Sequence, residues 1–292
     1  MPVITSSYAR MTAVFPGLKV SAAAPRSGEG WVTAQELAEG GAGLTGFVGR
    51  EAAQAAEDYG RPPRAHVAAT LALHRYLWPS CLLFTVPWFL RRRVPWLEVG
   101  DVAVHPAAGR ATVRTRSFLC LPDDPAANEP GARTVPDEAA LRAGLRAALA
   151  EHQAPVLAAF RPLVRRGPHA LWSMATDEIT EGLWYIGRLL GEEERAVAEL
   201  AELLPGDTAP YAGGAGFTSP KAKGTRAQSR TKNFGDVPVK SDAASTSVQA
   251  TACATRDRLT CCLFYTISPS TPCAGCPRAT DPDRIDRRAS AA

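Results

Sequence analysis

Apolar residues recur at helical spacing through most of the first 204 residues. Val67, Leu71, His74 and Trp78 step by three and four, predicting a helix from Ala65 to Trp78 that Pro79 stops or kinks. Leu141, Leu145 and Leu149 step by four along a core-facing helix that ends or kinks at Pro155, with a second helical piece to Arg166. Leu171, Met174, Ile179, Leu183, Ile186 and Leu190 mark the inner face of a helix from about His169 to Leu190, which Gly191 breaks. Glu192-Glu193-Glu194 open another, where negative charge complements the helix dipole, and Pro205 ends it. Nearer the start, Thr33 and Glu36 have capping-box spacing for a short helix. Gly40 to Gly46 reads as loop, and a helix from about Phe47 to Tyr59 stops before Gly60. Residues 1–30 carry no clear pattern.

Asp101 to His105 and Ala111 to Leu121 read as paired strands joined by a turn at Pro106 to Gly109. The second strand alternates, so Arg114 and Arg116 share an outward face and are guesses for contacting a polar ligand. Residues 122–136 form a Pro/Asp/Asn loop, with Thr134 and Asp137 as N-cap and third position of the helix that follows. Cys81 to Leu90 is a dense apolar block ending in Arg91-Arg92-Arg93. It is either a buried helix or loop with a solvated basic end, or an aromatic-and-basic rim for a ligand or for peripheral contact with a membrane. The fold class is therefore α+β: a predominantly helical body with a small antiparallel sheet.

Composition adds bounds. An apolar content of 46% supports a real core, and a net charge of +4 does not announce a nucleic-acid binder. Met1 to Arg10 lacks the apolar region of a secretory signal. The longest apolar run, Leu77 to Leu90, is interrupted by Pro79 and Pro87 and is shorter than a membrane span of about 18 residues. A soluble, cytoplasmic protein without a transmembrane segment is expected. Residues 205–250 change character, with six basic against three acidic side chains among Gly, Ser, Thr and Ala. They read as a polar basic loop or linker, or as an electropositive lid or docking patch for an acidic electron donor. Three segments follow: a body over 1–204, this linker over 205–250, and a cysteine-bearing tail over 251–292.

The chemistry concentrates in that tail. Cys261, Cys262, Cys273 and Cys276 read C-C-x10-C-x2-C. Thiolates are soft ligands that select iron–sulfur clusters, zinc or copper(I). C-x-x-C at a Gly-containing turn is an ordinary chelate. Adjacent cysteines on a strand point to opposite faces, so Cys261 and Cys262 can serve one centre only if the backbone bends or the centre is larger than one atom. A structural zinc normally takes two spaced pairs. An iron–sulfur cluster, zinc and disulfides all remain open, as do [2Fe–2S] and [4Fe–4S]. Cys81 and Cys120 sit among apolar neighbours and read as buried spectators, and Cys253 as a spectator thiol.

This motif resembles that of the FhuF-type ferric-siderophore reductases. Arg258, the run Leu263-Phe264-Tyr265 and Pro277 carry the likeness over roughly 256–278. Upstream, the Leu171-Trp172 helix start and the Pro79–Pro87 stretch are familiar only in kind. The resemblance implies a [2Fe–2S] cluster on Cys261, Cys262, Cys273 and Cys276, and one-electron reduction of Fe(III) held in a siderophore, often of the hydroxamate type. It also implies an electron donor such as a ferredoxin or a reductase. The backbone N–H groups of Ala274, Gly275 and Cys276 are expected donors to the sulfurs, with Thr260 and Tyr265 weaker ones, and Arg258 is a further guess for substrate contact. The alternative is a non-catalytic siderophore- or partner-binding protein with a structural metal centre. A redox sensor lacks a recognition helix. No P-loop and no G-x-G-x-x-G after a strand supports a nucleotide site, and His66, His74, His105, His152 and His169 are scattered.

Overall fold

The helix α4 (Ala65–Arg91) has 27 residues; it is buried on every side from Ser80 to Phe89, while Leu71, His74, Arg75 and Trp78 leave one face of its first half open. A helix apolar all round belongs at the centre of a core. The computed structural model describes residues 2–218, 255–268, 273 and 276–278. Within these, α1 (Pro2–Val14), α3 (Gly41–Tyr59), α5 (Glu138–Val164) and α6 (Pro168–Leu189) surround α4. The short α2 (Ala34–Glu39) and α7 (Glu193–Leu203) close the ends. Gly182 permits the tight α4–α6 crossing, since a Cβ there would lie 3.1 Å from Leu82 and 3.2 Å from Cys81.

The prolines do not break these helices, which corrects the expected stops at Pro79 and Pro155. α4 runs through Pro79 and Pro87, and α5 runs through Pro155 and Pro162. An internal proline costs about 3 kcal/mol by removing an N–H and crowding a carbonyl. At Pro87 a tertiary partner offsets this. Pro87 denies Leu83 its helical partner, and the buried Tyr8 hydroxyl of α1 donates to the Leu83 carbonyl at 2.8 Å. The block Cys81 to Leu90 is thus buried helix, not rim. α1 had no sequence signal, and α3 begins at Gly41, inside the expected loop. Thr33 and Glu36 do form the capping box of α2. Asp137 is itself the N-cap of α5, accepting from the Ala140 N–H at 2.8 Å, and Thr134 ends a strand.

The fold is α+β, and its small sheets are mixed, not purely antiparallel. In the first, β1 (Lys19–Ala22) lies parallel to β5 (Arg110–Val113), which pairs antiparallel with β4 (Val102–His105), which pairs antiparallel with β2 (Val32–Thr33). The long connection from β1 to β5 allows the parallel pairing. The expected strand from Ala111 to Leu121 splits in two. Its second half, β6 (Ser117–Cys120), joins another sheet between β3 (Val94–Trp96) and β7 (Ala132–Thr134). Arg114 and Arg116 lie at the break, and both donate to the buried Asp101 carboxylate, at 2.9 and 3.2 Å. The pair of β8 (Gly216–Thr218) and β9 (Thr255–Asp257) starts the return of the tail to the body. Among the described residues, no helix is long and apolar enough to cross a membrane.

Candidate metal centre and adjoining cavity

The tail is fastened by one carboxylate. Asp177, on α6, is buried and accepts four hydrogen bonds from residues 256–260. Arg256 Nη2 and the Leu259 N–H donate to Oδ1 at 2.6 and 2.9 Å; the Thr260 N–H and hydroxyl donate to Oδ2 at 2.8 and 2.6 Å. Arg256 is fully buried and also pairs with Glu181. One residue beyond Asp177, Glu178 accepts from Arg258 Nη2 at 2.9 Å and meets His74 Nδ1 at 2.6 Å. Burial pushes the Glu178 carboxyl up, but His74, Arg258 and Arg256 prevail and bring it down to about 2. Residues 177, 178 and 181 thus present one acidic stripe toward two tail arginines. Sequence reading missed it. The available signal was three carboxylates in an otherwise apolar helix and two arginines spaced by one just before the cysteines.

The cysteines follow directly. Arg166 Nη2 holds the Cys261 carbonyl at 2.8 Å. Leu263 takes a left-handed conformation, φ 63°, and a single 3-10 turn over Phe264–Thr266 follows. The chain therefore turns directly after the adjacent cysteines. The Leu263 N–H donates to Cys261 Sγ at 3.4 Å. Cys262 Sγ lies 3.5 Å from Cys273 Sγ. Two thiolates sharing one tetrahedral metal at about 2.3 Å lie about 3.7 Å apart, so this pair fits such sharing. That contact lowers the Cys262 thiol; burial opposes it, and His74, the Phe264 N–H and Arg258 assist. Cys273 is pushed up by the same contact. The pair therefore loses one proton easily and keeps the second. Burial raises the Cys261 thiol, which the Leu263 N–H opposes and the neighbouring Cys262 and Cys276 reinforce.

Two of the expected donors to sulfur, Thr260 and the Cys276 N–H, are corrected. Thr260 gives both its N–H and its hydroxyl to Asp177. The Cys276 N–H closes a turn onto the Cys273 carbonyl at 2.9 Å. The donors seen are the Leu263 and Phe264 amides. Arg258 is a tether to Glu178, not a free group facing substrate, and Arg114 and Arg116 serve Asp101. Cys253, Ala274 and Gly275, and most of the 205–250 linker, lie outside the described residues. Cys81 and Cys120 are buried, and Cys81 Sγ donates to the carbonyls of Trp78 and Glu178. Among the described residues, no three His, Cys, Asp or Glu side chains form a group suited to a single metal ion. What the described residues bring together is one close sulfur pair, Cys262 with Cys273, beside a Cys261 thiol that accepts from the Leu263 N–H.

Beside this loop lies a cavity of about 430 Å³ between α3, α4, the β4–β5 turn and the tail. Phe15, Tyr59 and Trp78 supply aromatic walls, and Phe264 and Ile267 bring in the cysteine loop itself. Phe264 meets Tyr59 edge-on, with centroids 5.2 Å apart. His74 also lines the cavity, and its Nε2 is buried without a hydrogen-bond partner. By contrast, His152 is fully satisfied, between the Tyr76 hydroxyl at 2.7 Å and the Leu97 carbonyl at 3.0 Å, and burial lowers it to about 4. In comparisons with known proteins, no family model matches the chain, and no curated protein and no solved structure is similar to it.

Proposed function

We propose that this chain is a cytoplasmic ferric-siderophore reductase of the FhuF type, with a [2Fe–2S] cluster on Cys261, Cys262, Cys273 and Cys276. One observation carries the reading: the C-C-x10-C-x2-C thiols belong to a loop whose Phe264 and Ile267 also wall the aromatic cavity. The substrate is Fe(III) wrapped in hard oxygen donors, most simply hydroxamates. Such donors grip Fe(III) and bind the softer Fe(II) weakly, so one electron converts a held ion into a releasable one. The cluster, when bound, supplies single electrons.

The chain's own residues do the remainder. Phe15, Tyr59 and Trp78 pack against the apolar arms of the complex and exclude water. His74, fixed through Nδ1 by Glu178, offers its unpartnered Nε2 to a ligand oxygen. Arg166 and the Leu263 and Phe264 amides set the shape and polarity of the cysteine loop. The reading stands on iron, zinc and acid-labile sulfide per chain in anaerobically purified protein, with an EPR spectrum before and after reduction. Equal iron and sulfide, a silent oxidised state and oxidation of the reduced protein by a ferric hydroxamate are expected. Serine at any of the four cysteines should bleach the protein and abolish reduction, and Cys253→Ser should leave both intact.

A second reading rests on the 3.5 Å contact between Cys262 and Cys273, which suits one zinc ion as well. The chain would then be a non-catalytic siderophore- or partner-binding protein with a metal-pinned tail. Zinc without sulfide would establish that reading and remove the first.

A further inference from the structure

The α5–α6 corner carries charge that no ion pair among the described residues balances. Between Glu151 and Asp177 the chain holds Arg161, Arg165 and Arg166 and no carboxylate. The three arginines surround a shallow open hollow with Ala158, Pro162 and Gly167. Arg161 and Arg165 are exposed, and among the described ion pairs neither has a partner. Several other arginines of the body are paired with carboxylates, among them Arg92 with Glu138 and Glu199, Arg93 with Asp124 and Arg195 with Glu192. The third member, Arg166, is partly buried and hydrogen-bonds the Cys261 carbonyl. The basic corner is therefore one hydrogen bond from the cysteine loop. None of its six lining residues lines the aromatic cavity.

We infer that this corner is the docking surface for an acidic protein that delivers single electrons to the centre on Cys261. This rests on the reductase reading above and adds to it where the electron enters. An electron must arrive for each one passed to substrate, and a second protein cannot use the cavity while substrate fills it. Arg161, Arg165 and Arg166 attract a donor whose own redox centre is ringed by Asp and Glu, as in small acidic ferredoxins. One electron leaves the reduced donor and one is gained at the centre, with no group transferred. An anionic membrane would suit the charges equally, but it carries no electron, and contact with Cys261 would then serve no purpose.

The test uses full-length protein whose iron and sulfide have first been measured. A chain that purifies without them overturns the reductase reading itself, before any kinetics. With the cluster present, reduction by an acidic [2Fe–2S] ferredoxin is followed by stopped flow, beside a photogenerated neutral radical as reductant. The Arg161→Glu/Arg165→Glu variant should slow the ferredoxin reaction by about tenfold or more, the usual scale of electrostatic steering. The wild-type rate should fall as ionic strength rises from about 0.01 M to about 0.1 M, which shortens the screening length from about 30 Å to about 10 Å. The variant should lose that dependence. Arg161→Gln/Arg165→Gln should fall between, and the neutral reductant should act equally on all three. An unchanged ferredoxin rate in the charge-reversed variant overturns the inference. So does loss of binding to phosphatidylserine vesicles with the ferredoxin rate intact, which would make the corner a membrane surface.

Discussion

Phe160 on α5 and Arg256 on β9 are both fully buried, for opposite reasons. Phe160 lies in a continuous apolar core with Leu141, Leu145, Leu149, Leu171 and Met174. Water is excluded from that core without reference to charge, and each large side chain contributes about 1.5–3 kcal/mol. Arg256 lies inside because Asp177 and Glu181 meet its guanidinium. Desolvating such ions costs several kcal/mol each, so the pairing yields little net stability and much definition of geometry. The body is thus held by area, and the tail by directed bonds together with a small apolar contact of Ile267, Leu263 and Phe264 on Ala55, Val67 and Leu71. Two halves built this way fail separately.

Truncation tests that separation at full scale. Phe160→Ala should cost about 3–5 kcal/mol in chemical denaturation and lower the stability of body and tail together. Asp177→Ala leaves Arg256 short of its partner and removes the acceptor of four hydrogen bonds. Breaking a buried pair in this way also costs about 3–5 kcal/mol, but here it falls on the tail. Amide exchange at residues 256–260 should accelerate at least about a hundredfold, while amides in the centre of α4 and α6 keep their protection. Iron content should fall with it. Equal acceleration throughout the chain would mean that body and tail are one cooperative unit.

Acid sharpens the same contrast. The Glu178 carboxyl sits at about 2 in the folded chain, against an ordinary value of about 4.3. Its folded value is depressed, so the stabilisation is complete above the ordinary value and is lost as pH falls through the folded one. Wild type and Glu178→Gln should differ by roughly 3 kcal/mol near neutrality, converging as pH drops from about 4.5 to about 2. Tail amide exchange measured across that range would show it. A gap that stays constant with pH would mean the carboxylate is not charged against His74 and Arg258.

The same division explains what could be read along the chain. Area has a period, so Leu141-Leu145-Leu149 and the inner face from Leu171 to Ile186 were legible. Thr33 and Glu36 were legible because a capping box is local. Pro79 and Pro155 misled as helix ends, because packing lets a long core helix continue through an internal proline. The tethers were illegible for another reason. Asp177 and Thr260 stand 83 residues apart, and no spacing rule links them. Thr260, Arg258, Arg114 and Arg116 each looked available for sulfur or substrate, and each already had a carboxylate. The C-C-x10-C-x2-C spacing was visible along the chain, but the turn at Leu263 that follows the adjacent cysteines appears only in the backbone.

The smallest effect probes how the apolar half tolerates its prolines. Tyr8→Phe keeps the ring in the core and removes only the hydroxyl that serves the Leu83 carbonyl. A buried carbonyl left unpaired costs about 1–3 kcal/mol, so the variant should lose about that much. Pro87→Ala returns an N–H four residues beyond Leu83. In that background the same carbonyl has a helical partner, and Tyr8→Phe should cost about 1 kcal/mol or less. Denaturation of the two single variants and the double gives the coupling directly. Strict additivity would show that the hydroxyl does not stand in for the missing helical bond. Coupling of about 1 kcal/mol would tie the N-terminal helix to the proline, explaining why α4 can carry Pro87 in mid-core.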